Sequence, residues 1–352
     1  MASTAQTEPR RARIAIDGMG GDNAPAAIVE GTLLAADRHS DVIEPILVGD
    51  EPVLRAELAR QGAGGRGIRI VHAEQQIDMG EAGADAFRKK RDSSLSVATR
   101  LVRDGEADGL FSAGNTGAMV AASLLTIGRL KGVNRPALAT PIPSSGEHAW
   151  AIVLDVGASA EVKPINLYQY GILGDAYFRI LFDTPHPKVG LLNIGEETSK
   201  GSDSAREAHK LLADSHLNFV GNVEGADILW GGVDVVVTDG FTGNVMLKFA
   251  ESIWSWTTGL ARKEVGDHLL AKLGMLLLRP SLHRVKTRMD YSEYGGAPLL
   301  GVDGIAMVGH GRSNPKAVCN AIRFTGELHR KGLNQEISRD LQREQGGKVV
   351  GS

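Results

Sequence analysis

Repeatedly along the chain a short run of Val, Ile and Leu ends in glycine and polar residues, and a helical pattern follows. The pairs are IAID (14–17) with GMGGDN (18–23), PILV (45–48) with GDE (49–51), and GLF (109–111) with SAGNTG (112–117). They continue with AIVL (151–154) and DVG (155–157), VGLL (189–192) and NIGE (193–196), VVV (235–237) and TDGFTGN (238–244), and IAMV (305–308) and GHGRSN (309–314). Uninterrupted apolar strands alternating with helices specify an α/β fold with a mostly parallel sheet covered on both faces. Helix starts are legible. Pro25 follows Asn23 at a first-turn position, Asn115 or Thr116 is placed to cap a helix, and Ser202 and Asn314 precede two more. Ligands in such folds bind beyond the carboxyl ends of the strands. Asp17, Asn23, Asn115, Thr116, Asp155, Asn193, Glu196, Asp239, Asn244 and His310 are therefore expected to converge on one rim.

Glycine supports this reading. The 352 residues include 44 glycines and only 5% aromatics, a balance suited to tight turns with backbone close to a ligand. Lys plus Arg number 39 and Asp plus Glu 42, for a net charge of −3, which argues against a nucleic-acid binder. Cys319 is the single cysteine, so an internal disulfide and a cysteine-based zinc site are excluded. Residues 1–11 read as a polar, disordered tail, 12–332 as one catalytic domain and 333–352 as a polar C-terminal tail that can begin as a helix before it frays. The longest apolar stretches, 118–128 and 269–278, fall short of the ~20 residues of a spanning helix, so a soluble protein is expected.

Several chemistries are disfavoured by motif. Gly18-Met19-Gly20 begins like a dinucleotide fingerprint, but the last position is Asn23, and Asp22 stands where a pyrophosphate would lie. In 195–202 the lysine, Lys200, precedes Gly201, the reverse of a Walker A order. No G-x-S-x-G elbow and no His pair at helical i, i+4 spacing occurs. What remains is a glycine-rich rim with backbone N–H groups at helix starts, suited to anions and particularly phosphate. The segment 112–117, with Ser112, Asn115, Thr116 and Gly117, is the strongest single candidate.

The segment IAIDGMGGDNAP (14–25) resembles the bacterial acyl-ACP:phosphate acyltransferase family. So do KKRDSS (89–94), SAGNTGA (112–118), GRLKGVNRPALA (128–139), LDVGA (154–158), LLNIGEE (191–197), FVGNVEG (219–225), TDGFTGNVMLK (238–248) and DYSEYGGAPLLG (290–301), in the family's order. The resemblance covers about residues 13–331. It departs at Ser159, where the family usually has Asn, and at Gly83, where it usually has Pro. It implies a Rossmann-like α/β/α sandwich related to phosphate acetyltransferases and isocitrate dehydrogenases. It also implies a homodimer held peripherally at the cytoplasmic membrane. The implied reaction moves a long-chain acyl group from acyl carrier protein to inorganic phosphate; no metal and no cofactor is expected, because phosphate activation does not demand one. The acyl phosphate then serves a membrane glycerol 3-phosphate acyltransferase in phospholipid synthesis.

Such chemistry needs phosphate held, the thioester carbonyl aligned and an oxyanion stabilised. Lys163 is the candidate charge partner, Asn244 the candidate donor to the carbonyl, Asp239 an orienting group and His310 a candidate acid toward the thiolate. Asp17, Gly20, Asn23, Lys90, Ser93, Ser112, Asn115, Thr116, Gly117, Asp155 and Ser159 complete the expected substrate-binding set. Each polar member also has a plainer reading as a helix cap or turn residue. The basic run Arg88-Lys89-Lys90-Arg91 is a candidate dock for the acidic carrier. Residues 245–288 are expected to form a protruding helical hairpin for dimer or membrane contact. Met246, Phe249, Ile253, Leu260 and Val265 recur at roughly helical steps, and Leu276–278 adjoin Arg279, Arg284, Lys286 and Arg288. Two other readings compete: a decarboxylating dehydrogenase using NAD and a divalent metal held by Asp155, Glu196 and Asp239, and a non-catalytic carrier-protein scaffold.

Overall fold

A computed structural model describes residues 10–266, 269–288 and 290–349. Most of the expected tail at 1–11 lies outside these residues, as do the side chains of Val265, Lys286 and Arg288. The first half of the chain alternates β1 (Ala12–Asp17), α1 (Ala26–Arg38), β2 (Ile43–Gly49), α2 (Glu51–Arg60), β3 (Arg69–His72), α3 (Gly83–Lys89), α4 (Ser94–Arg103), β4 (Gly109–Ser112) and α5 (Thr116–Ala122). A π turn over Ser123–Ile127 extends α5 and leads to β5 (Ala137–Pro143). Then come β6 (Trp150–Leu154), α6 (Pro164–Phe182), β7 (Val189–Leu192), α7 (Asp203–Ala213), β8 (Phe219–Val223), α8 (Gly225–Trp230) and β9 (Val235–Val237). Two long helices follow, α9 (Gly240–Val265) and α10 (Leu269–Arg288), before β10 (Ala297–Leu300), β11 (Ile305–Val308), α11 (Pro315–Arg330) and α12 (Leu333–Val349).

All strands join one 11-stranded sheet in the order β3-β2-β1-β4-β11-β10-β5-β6-β9-β7-β8. Side chains alternate across it with a period of two. Ile14 and Ile16 of β1 enter one core with Ile28 of α1 and Ile322 of α11, and Ala15 enters the other with Leu95 and Ala98 of α4. Val235 and Val237 of β9 join the first core beside Tyr170 of α6, and Val236 the second. Helices thus cover both faces, the mostly parallel α/β/α sandwich that the strand pattern and the resemblance indicated.

The expectation of one convergent rim is corrected. β3, β2, β1, β4 and β11 run parallel, and so do β6, β9, β7 and β8. Between these halves β11–β10, β10–β5 and β5–β6 are all antiparallel. Three reversals leave the halves pointing in opposite directions. Register sets the two groups of ends side by side: Val308 pairs with Ser112 and Ala297, while Leu154 pairs with Ala139, one residue beyond the Leu138–Leu299 pair and so level with Pro298. Four inter-strand steps separate β4 from β6, about 19 Å at the usual strand spacing. The carboxyl ends form two rims, side by side at nearly one level of the sheet and facing opposite ways.

The C-terminal segment is more structured than a fraying tail. The helix expected at its start runs through residues 333–349 as α12. Leu333, Ile337 and Leu341, one helical step apart, are buried in the core. Arg179 of α6 donates to Asp175, Glu336 at 2.5 Å and Asp340, while Glu344 accepts from Tyr168 and His216. The expected hairpin region is two helices, α9 and α10, rich in exposed apolar residues.

Candidate functional site

The first rim gathers the loops after β1, β4 and β11. Asp17 ends β1 fully enclosed, and its carboxylate accepts from the Ser112 hydroxyl at 2.7 Å and the Met19 N–H at 3.3 Å. Burial pushes its pKa up, against the opposing effect of those hydrogen bonds. A Cβ on Gly20 would stand 2.5 Å from the Asp17 carboxylate, so only glycine lets the loop fold over it. Asp22 N–H donates to the Gly311 carbonyl at 2.8 Å, and Asn23 to that of Ser313 at 3.3 Å, tying this loop to the one carrying His310. His310 is exposed, and its Nδ1 accepts from the Arg312 N–H at 3.1 Å.

Most expected ligands on this rim serve the fold. Asn115 caps α5 by accepting from Ala118 N–H at 3.0 Å, and its amide donates to the carbonyls of Met79 and Glu81. Ser93 caps α4 and is buried. The Lys90 ammonium is occupied by Glu81 and the Gln76 carbonyl. Thr116 and Gly117, at the start of α5, remain exposed.

The second rim gathers the loops after β6, β9 and β7. Asp155 organises it. One carboxylate oxygen accepts from the N–H groups of Leu138, Gly157 and Ala158 at 2.9–3.0 Å, and the other from Ser159 at 2.8 Å. Burial still outweighs those bonds and raises its pKa. The loop from β9 lies directly on this turn. Gly240 N–H donates to the Ser159 carbonyl at 2.9 Å, and a Cβ on Gly243 would stand 2.0 Å from the Asp155 carbonyl oxygen. Asn244 approaches Gly157. Asp239 caps the start of α9, accepting from Thr242 N–H at 2.8 Å and the Thr242 hydroxyl at 2.7 Å.

Two expected roles change here. Ser159 is buried, its N–H donating to Asp155 at 2.8 Å and its carbonyl accepting from Gly240 at 2.9 Å, so it takes a structural place in the turn. Asp155 has both oxygens engaged by backbone, so it is neither a free base nor an open metal ligand. Lys163 does stand exposed on this rim, just before α6, where its N–H donates to Asn166 at 2.9 Å. Sequence reading passed over Lys200, having quoted it only to reject a P-loop. It is exposed on the loop after β7, next to β9, with its carbonyl accepting from Asn193 at 3.1 Å. The signal was its position at a strand's carboxyl end. Among the described residues no group of three His, Cys, Asp or Glu is arranged to hold a metal ion.

A family described as "Fatty acid synthesis protein" matches residues 12–336. A phosphate acyltransferase from Geotalea daltonii is 46% identical over 330 residues, 94% of each chain. Another from Pelotomaculum thermopropionicum is 48% identical over 94% of this chain and 95% of its own. Among solved structures, a phosphotransacetylase from Streptococcus pyogenes superposes with a TM-score of 0.62 at 18% identity, covering 91% of this chain and 94% of its own. That likeness concerns the fold.

Proposed function

Because the chain belongs to the phosphate acyltransferase family of fatty acid synthesis proteins, acyltransferase enzymes, we propose that it moves a long-chain acyl group from acyl carrier protein to inorganic phosphate. The relatives' shared name over nearly the whole chain is the observation that carries this reading. The acyl phosphate would feed a membrane glycerol 3-phosphate acyltransferase in phospholipid synthesis.

The second rim is the proposed reaction centre. Phosphate is already an anionic nucleophile, and a thiolate is a fair leaving group, its pKa near that of Cys, ~8.5. A phosphate oxygen attacks the thioester carbonyl carbon, the carbonyl π pair moves to oxygen, and its return expels the thiolate. Three tasks fall to the protein. Lys163 and Lys200 neutralise phosphate, the Asn244 amide donates to the developing oxyanion, and the Asp155 turn fixes the backbone between them. Asp155 works here as scaffold, which disfavours the dehydrogenase reading that needs it on a metal.

Purified enzyme, acyl carrier protein loaded with a sixteen-carbon chain, and phosphate should give acyl phosphate, trapped by hydroxylamine as the hydroxamate. Product must depend on phosphate; carrier binding without product would instead favour the scaffold. Asn244→Ala is expected to lower kcat about 10²-fold, the scale of losing one oxyanion donor. Lys163→Ala is expected to raise the phosphate KM at least tenfold, and full turnover in both variants would remove these roles.

The exposed apolar residues of α9 and α10 support two further parts of the proposal, a homodimer and peripheral contact with the cytoplasmic membrane. No described helix is long and apolar enough to cross a bilayer.

A further inference from the structure

Asn222 is a polar side chain buried in the edge strand β8, where it is 6% exposed. Packing alone would favour an apolar residue there, and a buried amide persists where its hydrogen bonds are made. Its polar atoms reach two other elements. Nδ2 donates to the Glu197 carbonyl at 2.8 Å, and Oδ1 lies 3.0 Å from Nδ1 of His209 on α7. A carbonyl oxygen only accepts, so Nδ2 faces Glu197 and Oδ1 faces the imidazole, which places the proton of neutral His209 on Nδ1. The ring is braced edge-on against Phe219 of the same strand, 5.1 Å between centroids.

The Glu197 carbonyl also accepts the Lys200 N–H, at 3.0 Å, and the Lys200 carbonyl accepts from the Asn193 amide at 3.1 Å. Both backbone groups of Lys200 are therefore fixed, one through the acceptor that Asn222 holds and one through Asn193. Arg206 of α7 holds the next carbonyl, that of Gly201, at 2.6 Å. Residues 196–200 are all exposed, so these bonds rather than packing set where the loop stands. The Lys200 stem passes Gly195, where a Cβ would stand 3.2 Å from its Cγ. Its ammonium lies 3.9 Å from the exposed Glu197 carboxylate, a loose pair that phosphate can displace.

We propose that Asn222, backed by His209, is a positioning residue for phosphate: it fixes the turn that presents Lys200 to the second rim. The inference rests on the reading of Lys200 as a phosphate-binding group. Lysine is a point charge on a flexible four-carbon stem, so its side chain alone selects no position. The backbone beneath it decides where the ammonium reaches, and a misplacement of about 1 Å can cost 10²-fold where groups must be aligned.

Phosphate KM tests the role, measured at saturating sixteen-carbon acyl carrier protein, because KM does not depend on the fraction of protein that is folded. Lys200→Ala should raise it at least about tenfold, the scale of one charge-assisted hydrogen bond. Asn222→Leu, similar in size and uncharged, should raise it about three- to tenfold, the scale of a neutral one, and leave the KM for the acyl carrier within about twofold. His209→Leu should raise phosphate KM about threefold, and His209→Asn, which returns an N–H donor to the place of Nδ1, should restore it. In the Lys200→Ala background Asn222→Leu should change phosphate KM by less than about twofold, since its effect passes through Lys200.

A rise of equal size in both backgrounds would overturn the positioning role, as would equal rises in the two KM values or a fall in kcat with phosphate KM unmoved. If Asn222→Leu does not fold, the His209 pair decides: His209→Leu and His209→Asn giving the same phosphate KM would overturn the proposal. Lys200→Ala with an unmoved phosphate KM would sink the reading of Lys200 and the positioning role with it. That failure is separable from one in which Lys200→Ala weakens phosphate and Asn222→Leu does not.

Discussion

Asp155 shows how one residue can matter to a reaction without taking part in it. Its carboxylate collects four backbone N–H groups, from Leu138 on β5 and from its own turn. Asp155→Ala would leave those donors without their acceptor, at about 1–3 kcal/mol for a buried unsatisfied group. Allowing for relaxation, a loss of about 3–5 kcal/mol in urea unfolding is expected, together with activity. Gly243→Ala should also be severe, since the new Cβ meets rigid backbone, the Asp155 carbonyl. Gly83 is a comparable case. Its missing side chain lets α3 rest on α5, where a Cβ would stand 2.3 Å from Ala118 N. Titration separates two other carboxylates. Asp17, its pKa raised by burial, favours folding when protonated; that contribution is complete below the ordinary carboxylate range and is lost as pH rises through the raised native value. Asp17→Asn should flatten this fall, measured as urea midpoints from pH 4 to 8. Asp108 behaves oppositely. Burial pushes it up, but bonds from Arg13 outweigh that and hold it low, so its contribution is present above the ordinary range and disappears on acidification. Caps were the most legible residues in the sequence. Asn115, Ser202 and Asn314 each accept from the N–H three residues on, because capping chemistry is local. Locality also explains the misreadings: Ser159 and Lys90 took their places from Gly240 and Glu81, partners that no spacing rule supplies.

At the scale of elements, strands bearing continuous apolar runs were read almost to the residue, as β7 (Val189–Leu192) and β11 (Ile305–Val308) show. The edge strands β3 and β8 were not, because RIVH and FVGNV are half exposed and carry little apolar signal. The length and packing of α12 were not legible for a related reason. Its polar composition hid Leu333, Ile337 and Leu341, whose spacing is that of a narrow buried stripe. α12 docks on α6 through that stripe and through Arg179, which meets three carboxylates. Arg179 is 21% exposed, so water screens part of the network. Arg179→Met is expected to cost about 1–3 kcal/mol, mostly by leaving Asp175 and Asp340 unpaired. A chain ending at residue 332 should lose more, since the apolar contacts go as well; a melting temperature unchanged from the full chain would show α12 to be dispensable.

Across the whole molecule, the opposed half-sheets decide which candidates can cooperate. The repeating strand–helix pattern announces a parallel sheet within each half, but it holds no information about direction between halves. That depends on β5 and β10, whose pairing is long-range. The consequence for the candidates is sharp: Asn115 and Lys163 belong to different rims, about 19 Å apart across the sheet. Asn115→Ala is therefore expected to lower the melting temperature while leaving the phosphate KM within about twofold, in contrast to Lys163→Ala. The strand order also bears on how the chain is born. β6, β7, β8 and β9 come from one uninterrupted stretch, so this half can assemble as soon as it clears the ribosome. The other half holds the first strand of the chain and the last: β4 pairs with β11, which is made only after β10. Until then β4 presents an open, apolar edge to the cell, so the earliest-made strands wait longest for their neighbour and depend on swift elongation or a chaperone to reach it unaggregated.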